Sequence, residues 1–246
     1  MGSRDVEQDE ITVLVTGFGP FKEQYPQNPS WEIAHQLPDY LPPVRAKVPG
    51  AAASAIPLPP VRIIVHPAPV RVNYQVVRSL VPALWDPSYA GRKIDYVVHI
   101  GMAGPRLFYA LERQGHRDGY NMKDVDGELL RDDKRREEEG KDWVWYGTPP
   151  TIETDLDTDD IMKRWQKYSP DGADLRLSTD AGHYLCDFIY FSSLAHLWKA
   201  QDHKRVVFLH VPADASDGAV RTGKELMVQL IRSIVESELT KNARAQ

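Results

Sequence analysis

Four short runs rich in β-branched residues recur along the chain, at 11–16 (ITVLVT), 61–66 (VRIIVH), 95–100 (DYVVHI) and 206–211 (VVFLHV). Each is largely apolar without strict alternation, and the first is closed by Gly17, so each reads as a strand buried on both faces. A strand of that kind needs cover above and below the sheet. The cover is visible between the runs. Asn28-Pro29-Ser30 opens a helix over 31–37 with Ser30 as its expected N-cap. Residues 74–84 place Val76, Val77, Leu80 and Val81 at helical spacing, 181–198 form a long apolar helix, and 223–239 an amphipathic closing one. Strands alternating with helices define an α/β fold with a mostly parallel sheet. A chain of 246 residues is long enough for one sizeable core, and no internal repeat divides it.

Several stretches interrupt the rhythm. Residues 38–69 are rich in proline and alanine and are expected to hold a loop before their strand. The run RDDKRREEEGKD at 131–142 reads as a solvated loop or excursion. The acidic tract Asp155, Asp157, Asp159 and Asp160 lacks the glycine and the closing carboxylate of a calcium loop, Gln166 standing at position twelve, so it reads instead as a helix start near Asp159 or Asp160. The resulting expectation is a tail at 1–10, one domain over 11–240 and a short tail at 241–246.

Composition excludes some partners. The formal charge of −5 comes with no lysine or arginine stripe, so nucleic acid is not an expected partner. Residues 1–10 hold no apolar signal core, and no apolar run approaches the roughly 20 residues of a membrane span. Val6 stands where an N-myristoylation signal needs Ser or Thr. A single cysteine suits a reducing compartment. The chain reads as soluble and cytoplasmic.

That cysteine, Cys186, cannot form an internal disulfide or a multi-cysteine metal site. It is either a small core residue or a nucleophile. In open α/β sheets ligands bind beyond the carboxyl ends of the strands. Four pieces of chemistry fall there: the turn Gly17-Phe18-Gly19-Pro20-Phe21, the Gly101-Met102-Ala103-Gly104 segment with Glu112 beyond it, Cys186 near a helix start, and His210 ending the last strand. The turn is no dinucleotide fingerprint, because Lys22 occupies the third glycine position and Pro20 interrupts the helix entry. Phe18 and Phe21 are suited to lining an apolar slot, or to packing in the core. A thiol in the first turns of a helix gains from the helix dipole. His183 is close to it in sequence, but His210, aimed from a neighbouring strand, is the better base. Glu112 is a candidate to orient that base, with Asp180, Asp187 and Asp214 as competitors.

Together these residues resemble the pyroglutamyl peptidase I family, cysteine peptidases that remove N-terminal pyroglutamate. The likeness runs through 13–21 (VLVTGFGPF), Asn28-Pro29-Ser30-Trp31, Tyr74-Gln75, 81–85 (VPALW), Val98-His99-Ile100-Gly101, Leu111-Glu112-Arg113, Gly115-His116, Gly119-Tyr120, 180–187 (DAGHYLCD) and Leu209-His210-Val211-Pro212, with an animal-like character in the middle motifs. The resemblance implies a single three-layer α/β/α domain with a twisted sheet. It implies Cys186 as nucleophile, His210 as base, Glu112 as its orienting partner, Phe18 and Phe21 holding the pyrrolidone ring, and Asn28 near the pocket. It implies no metal or cofactor, peptides with N-terminal pyroglutamate as partners, and a monomer. One departure stands out. Bacterial members carry an arginine about ten residues beyond the glutamate, and here that region reads Met122-Lys123-Asp124-Val125-Asp126. Oxyanion stabilisation then falls to N–H groups at the helix start or to Lys123, and loss of one such donor costs on the order of 100-fold in rate. The segment 127–172 is also longer than in the bacterial form. A cysteine amidase for another small amide and an inactive pyroglutamyl-binding homologue stay open as alternatives.

Overall fold

The computed structural model describes residues 10–21, 23–43, 57–87, 89–104 and 106–245. Most of the expected N-terminal tail (1–9), Lys22, residues 44–56 of the proline- and alanine-rich loop, and Gln246 lie outside the described residues.

In chain order the elements are β1 (Ile11–Gly17), α1 (Pro29–Ala34), β2 (Val61–Val65), α2 (Tyr74–Leu84), β3 (Tyr96–Met102), β4 (Tyr109–Glu112), β5 (Gln114–His116), α3 (Asp132–Glu139), β6 (Thr151–Glu153), α4 (Thr158–Tyr168), β7 (Leu175–Ser178), α5 (Leu185–Lys199), β8 (Val206–Val211) and α6 (Asp217–Ala245). Six strands form one sheet in the order β2-β1-β3-β8-β4-β7, and β5 pairs with β6 in a separate ribbon. Every neighbour in the sheet is parallel except β4 against β8. The mostly parallel α/β fold expected from the sequence is therefore present.

The period of two along each strand divides the interior into two cores. Val13, Val15, Val98, Ile100, Val207 and Leu209 point to one face, where α1, α4 and α6 cover them. Leu14, Val97, Val206 and Phe208 point to the other, where α2 and α5 lie. Helix α5 is enclosed further: β5 packs on it, and Trp145 sets its ring 5.2 Å from Phe188 and 4.8 Å from Phe191. A helix apolar on every side, as this one is in sequence, is what such an environment requires.

Some local expectations need correction. Helix α1 is capped by Asn28, whose Oδ1 accepts from both the backbone N–H and the hydroxyl of Ser30. Helix α5 begins at Leu185, four residues later than expected, because Gly182 adopts φ +79° and ends any earlier helical turn. The charge run 131–142 is not a loop; it contains α3 and a 3₁₀ turn, Gly140–Asp142. The last helix reaches Ala245, so residues 241–245 are helical and not a tail. The acidic tract does start a helix, with Asp157 capping α4 through Asp160 N–H.

Candidate active site

Strand β1 delivers the first piece. Gly17 lies so close to α1 that a Cβ there would fall 2.6 Å from Ser30 O and 2.8 Å from Trp31 Cα. The chain then turns: Phe18 N–H donates to Ser30 Oγ at 3.0 Å, Gly19 N–H to Val70 O at 2.9 Å, and Asn28 Nδ2 to Gly19 O at 2.9 Å. Both polar ends of buried Asn28 are thus spent holding this turn. Phe18 is packed into the core at 3% exposure. Phe21 is half-buried, stacked on Tyr25 at 5.8 Å and tilted against Tyr184 at 6.4 Å. The accessible aromatic wall is therefore Phe21 with two tyrosines that sequence reasoning did not single out.

The second piece is a buried pair. Strand β4 runs antiparallel to β8, with Ala110 opposite His210 and Glu112 opposite Phe208. This register sets Glu112 diagonally beside His210 on the face covered by α5. Glu112 Oε1 accepts from His210 Nδ1 at 2.8 Å, and neither side chain is more than 4% exposed. That bond directs Nε2 away from the carboxylate. Tyr190 of α5 donates its hydroxyl proton to the Glu112 carbonyl at 3.0 Å, tying this strand to the helix. Arg106, also missed from sequence, donates to Glu112 Oε1 at 2.9 Å and to Asp180 O at 3.0 Å. Its only sequence signal is a position just ahead of an apolar run.

Cys186 completes the set. It is the second residue of α5, in a turn that Tyr184 caps without a side-chain hydrogen bond. Its Sγ occupies the space left by Gly101: a Cβ there would lie 2.8 Å from Sγ and 2.5 Å from Phe208 Cζ. Gly101 pairs with His210 across β3 and β8. The absent side chain thus seats the sulfur beside the histidine strand. Burial, followed by the negative charges of Glu112 and Asp187, pushes the thiol up to about 12, with Arg106 opposing. The thiolate therefore needs a proton acceptor at hand, rather than forming freely near neutrality.

Four candidates named from the sequence stand elsewhere. His183 lies ahead of α5 with Nδ1 3.9 Å from Asp187 Oδ2. Asp187 is engaged by the His116 N–H and the Tyr120 hydroxyl, not by His210. Asp214 caps a turn through Ser216 N–H. Lys123 is exposed, and its carbonyl accepts from the Tyr184 hydroxyl at 3.1 Å.

A lone thiol seated beside the strand of a histidine that a buried carboxylate holds is an arrangement suited to cysteine-dependent hydrolysis. Fold and site together define an α/β cysteine hydrolase. Comparison with known proteins narrows the class. The sequence profile of pyroglutamyl peptidase matches residues 78–236. Human pyroglutamyl-peptidase 1 is 32% identical over 233 residues, which span 92% of this chain and 94% of the human one. The mouse protein of the same name is 32% identical over 207 residues, 84% of this chain and 81% of its own. A pyrrolidone carboxyl peptidase structure from Thermococcus litoralis, 17% identical, shares the fold with a TM-score of 0.68 over 94% of this chain and 96% of its own. The chain belongs to the pyroglutamyl peptidase family, cysteine-type hydrolases that remove pyroglutamate from peptide N-termini.

Proposed function

We propose that Cys186 is the nucleophile of this hydrolase, His210 its general base and acid, and Glu112 the residue that orients His210. The single observation that carries the assignment is the buried 2.8 Å Glu112–His210 bond, with Cys186 Sγ lodged against Gly101 on the adjoining strand. In the first step the Cys186 proton passes to His210 Nε2 as sulfur attacks the pyroglutamyl carbonyl. The tetrahedral adduct collapses, the C–N bond breaks, and the leaving amine takes that proton from the imidazolium. Water, deprotonated by the same Nε2, then attacks the thioester. Pyroglutamate leaves and the sulfur regains its proton.

The oxyanion falls to the N–H groups of the first turn of α5, Cys186's among them. Lys123 is exposed, and its carbonyl accepts from the Tyr184 hydroxyl next to Cys186. Pyroglutamate has no free α-amine, so a wall of Phe21, Tyr25 and Tyr184 suits its flat lactam; a charged amine placed there would lose solvation without a partner. Phe18 and Asn28 shape that wall from behind, through the turn that carries Phe21. The chain acts in the cytoplasm as a monomer on this reading. A thiol nucleophile works only when reduced, and no described helix is long and apolar enough to cross a membrane.

Release of a coumarin dye from its pyroglutamyl amide tests the assignment. Turnover is expected from the native chain and none from Cys186→Ala. Activity surviving in that variant would overturn the mechanism. Turnover of other small amides alone would indicate an amidase, and binding of pyroglutamate without turnover an inactive binding protein.

A further inference from the structure

Next to the catalytic residues, on the other side of the α5 start, three further side chains converge that the acyl-transfer chemistry does not use. His116 comes from β5, His183 from the loop ahead of α5, and Asp187 from the first turn of α5 itself. Asp187 Oδ2 lies 3.4 Å from His116 Nδ1 and 3.9 Å from His183 Nδ1, and one donor atom of each residue falls within 4.8 Å of the other two. Asp187 is fully buried, whereas the His183 side chain is 51% exposed. His116 Nδ1 is a buried nitrogen with no hydrogen-bond partner among the described residues.

A tetrahedral Zn²⁺ with bonds of about 2.0–2.1 Å sets its donor atoms about 3.3 Å apart. The His116–Asp187 pair, at 3.4 Å, already has that spacing; His183, 3.9 Å from Asp187, must move inward, and its exposed ring is the one free to do so. Space for it exists: Gly119 has no side chain, and a Cβ there would meet His183 Nδ1 at 2.9 Å. The surrounding hydrogen bonds are those a metal site needs. Asp187 Oδ1 accepts from His116 N–H at 3.1 Å, and Oδ2 accepts from the Tyr120 hydroxyl at 3.0 Å, which fixes the carboxylate. The Gln114 side-chain amide nitrogen donates to Thr179 O at 3.0 Å and lies 3.3 Å from His116 Nε2, which holds the imidazole from its far side.

We infer that His116, His183 and Asp187 form a binding site for a borderline divalent transition metal, Zn²⁺ foremost, that clasps β5 and the preceding loop to the start of α5. Two imidazoles and one carboxylate suit Zn²⁺, Ni²⁺ or Co²⁺ and disfavour Mg²⁺ and Ca²⁺, which prefer all-oxygen sites. The exposed flank beside His183 leaves the fourth position to water. The metal takes no part in bond cleavage; it secures the helix turn that carries the nucleophile.

The catalytic thiol can itself hold Zn²⁺, so the experiment uses the full-length Cys186→Ala protein. ZnCl₂ is titrated by calorimetry in competition with a chromogenic chelator, and thermal unfolding is followed with and without the metal. One equivalent of Zn²⁺ and a raised melting midpoint are expected. In Cys186→Ala/His183→Gln the affinity should fall at least tenfold and the rise in melting should vanish, while the metal-free midpoint stays unchanged because His183 is exposed. Equal Zn²⁺ binding with and without His183 would overturn the inference. So would no binding by a protein that melts cooperatively, which would leave a histidine–aspartate ion pair and nothing more. None of these readouts uses a substrate, so failure here leaves the peptidase assignment intact.

Discussion

At the scale of single residues, the proposed site depends on an absence as much as on Cys186, His210 and Glu112. Gly101 is the floor on which the Cys186 sulfur rests, and the Phe208 ring, fully buried, closes the other side. Gly101→Ala would force a methyl group into a space bounded at 2.5 and 2.8 Å, so the Phe208 ring or the Cys186 sulfur must shift to admit it. Overpacking of this kind costs about 1–3 kcal/mol. The expected outcome is a lower melting midpoint together with a fall in kcat of about 100-fold, since displacement by an ångström is enough for that. A variant with native kcat would show that the sulfur does not work from this seat. Glu112→Gln asks a different question, because the amide keeps the shape and removes the charge that fixes the His210 tautomer. By analogy with other carboxylate–histidine pairs, kcat should drop on the order of 10³–10⁴-fold with the fold retained by circular dichroism. Cys186 and His210 stood out in the sequence by their places at a helix start and a strand end, whereas Glu112 was set apart from Asp180, Asp187 and Asp214 only by the family resemblance; the structure brings Glu112 to His210. Arg106 was not legible, since nothing in its neighbours reveals that its guanidinium bridges Glu112 and Asp180.

At the scale of elements, legibility followed length and burial. The four long strands and the helices at 74–84 and 185–199 carry enough apolar residues to show their period. Strands β4, β5, β6 and β7 are three or four residues each, too short for alternation to stand out. Every residue of helix α3 is charged, so its sequence resembles a solvated loop. The α5 boundary was misplaced because the apolar composition extends to Ala181, whereas the backbone at Gly182 does not continue the helix. The capping of α1 was misread by two residues for a related reason: Asn28 and Ser30 are both good caps, and only the bond from Ser30 N–H to Asn28 Oδ1 shows which one the helix employs, while Asn28 Nδ2 donates to Gly19 O in the turn before it. Asn28 therefore links two elements, and removing it should be felt in both. Asn28→Ala deletes a donor and a doubly used acceptor, with an expected stability loss of about 1–2 kcal/mol, the usual range for a lost cap. Because the same residue holds the turn leading to Phe21, KM for a pyroglutamyl amide should rise while kcat changes less. Urea unfolding and steady-state kinetics on one preparation check both, and a stability loss with unchanged KM would confine Asn28 to capping.

At the scale of the whole molecule, the layer that carries Cys186 must hold its place on the sheet that carries His210, and apolar packing alone does not set that register. A polar tie runs through the interior: the His99 ring on β3 lies 2.8 Å from Thr16 Oγ1 on β1 through Nδ1, and 2.8 Å from Ser193 Oγ on α5 through Nε2. One hydroxyl accepts the ring N–H and the other donates to the bare nitrogen, an arrangement that only a neutral imidazole satisfies. Burial, with a smaller contribution from His66, pushes His99 down to about 3 from the ordinary 6.5. In the unfolded chain the same ring takes up its proton through pH 6.5. Acid therefore favours the unfolded state: the contribution of His99 is complete above about pH 6.5 and is lost as the pH falls towards 3, by at most about 1.4 kcal/mol per pH unit. His99→Gln keeps a donor and an acceptor for the two hydroxyls and cannot be protonated. Its stability should be lower than that of the native chain at pH 7.5, and the difference should shrink steadily between pH 6 and 4. Carboxylate titration affects both proteins alike and cancels in that difference. Urea unfolding at half-unit pH intervals measures it, and two curves that stay parallel below pH 6 would show that the His99 tie does not govern how the nucleophile helix is seated on the sheet.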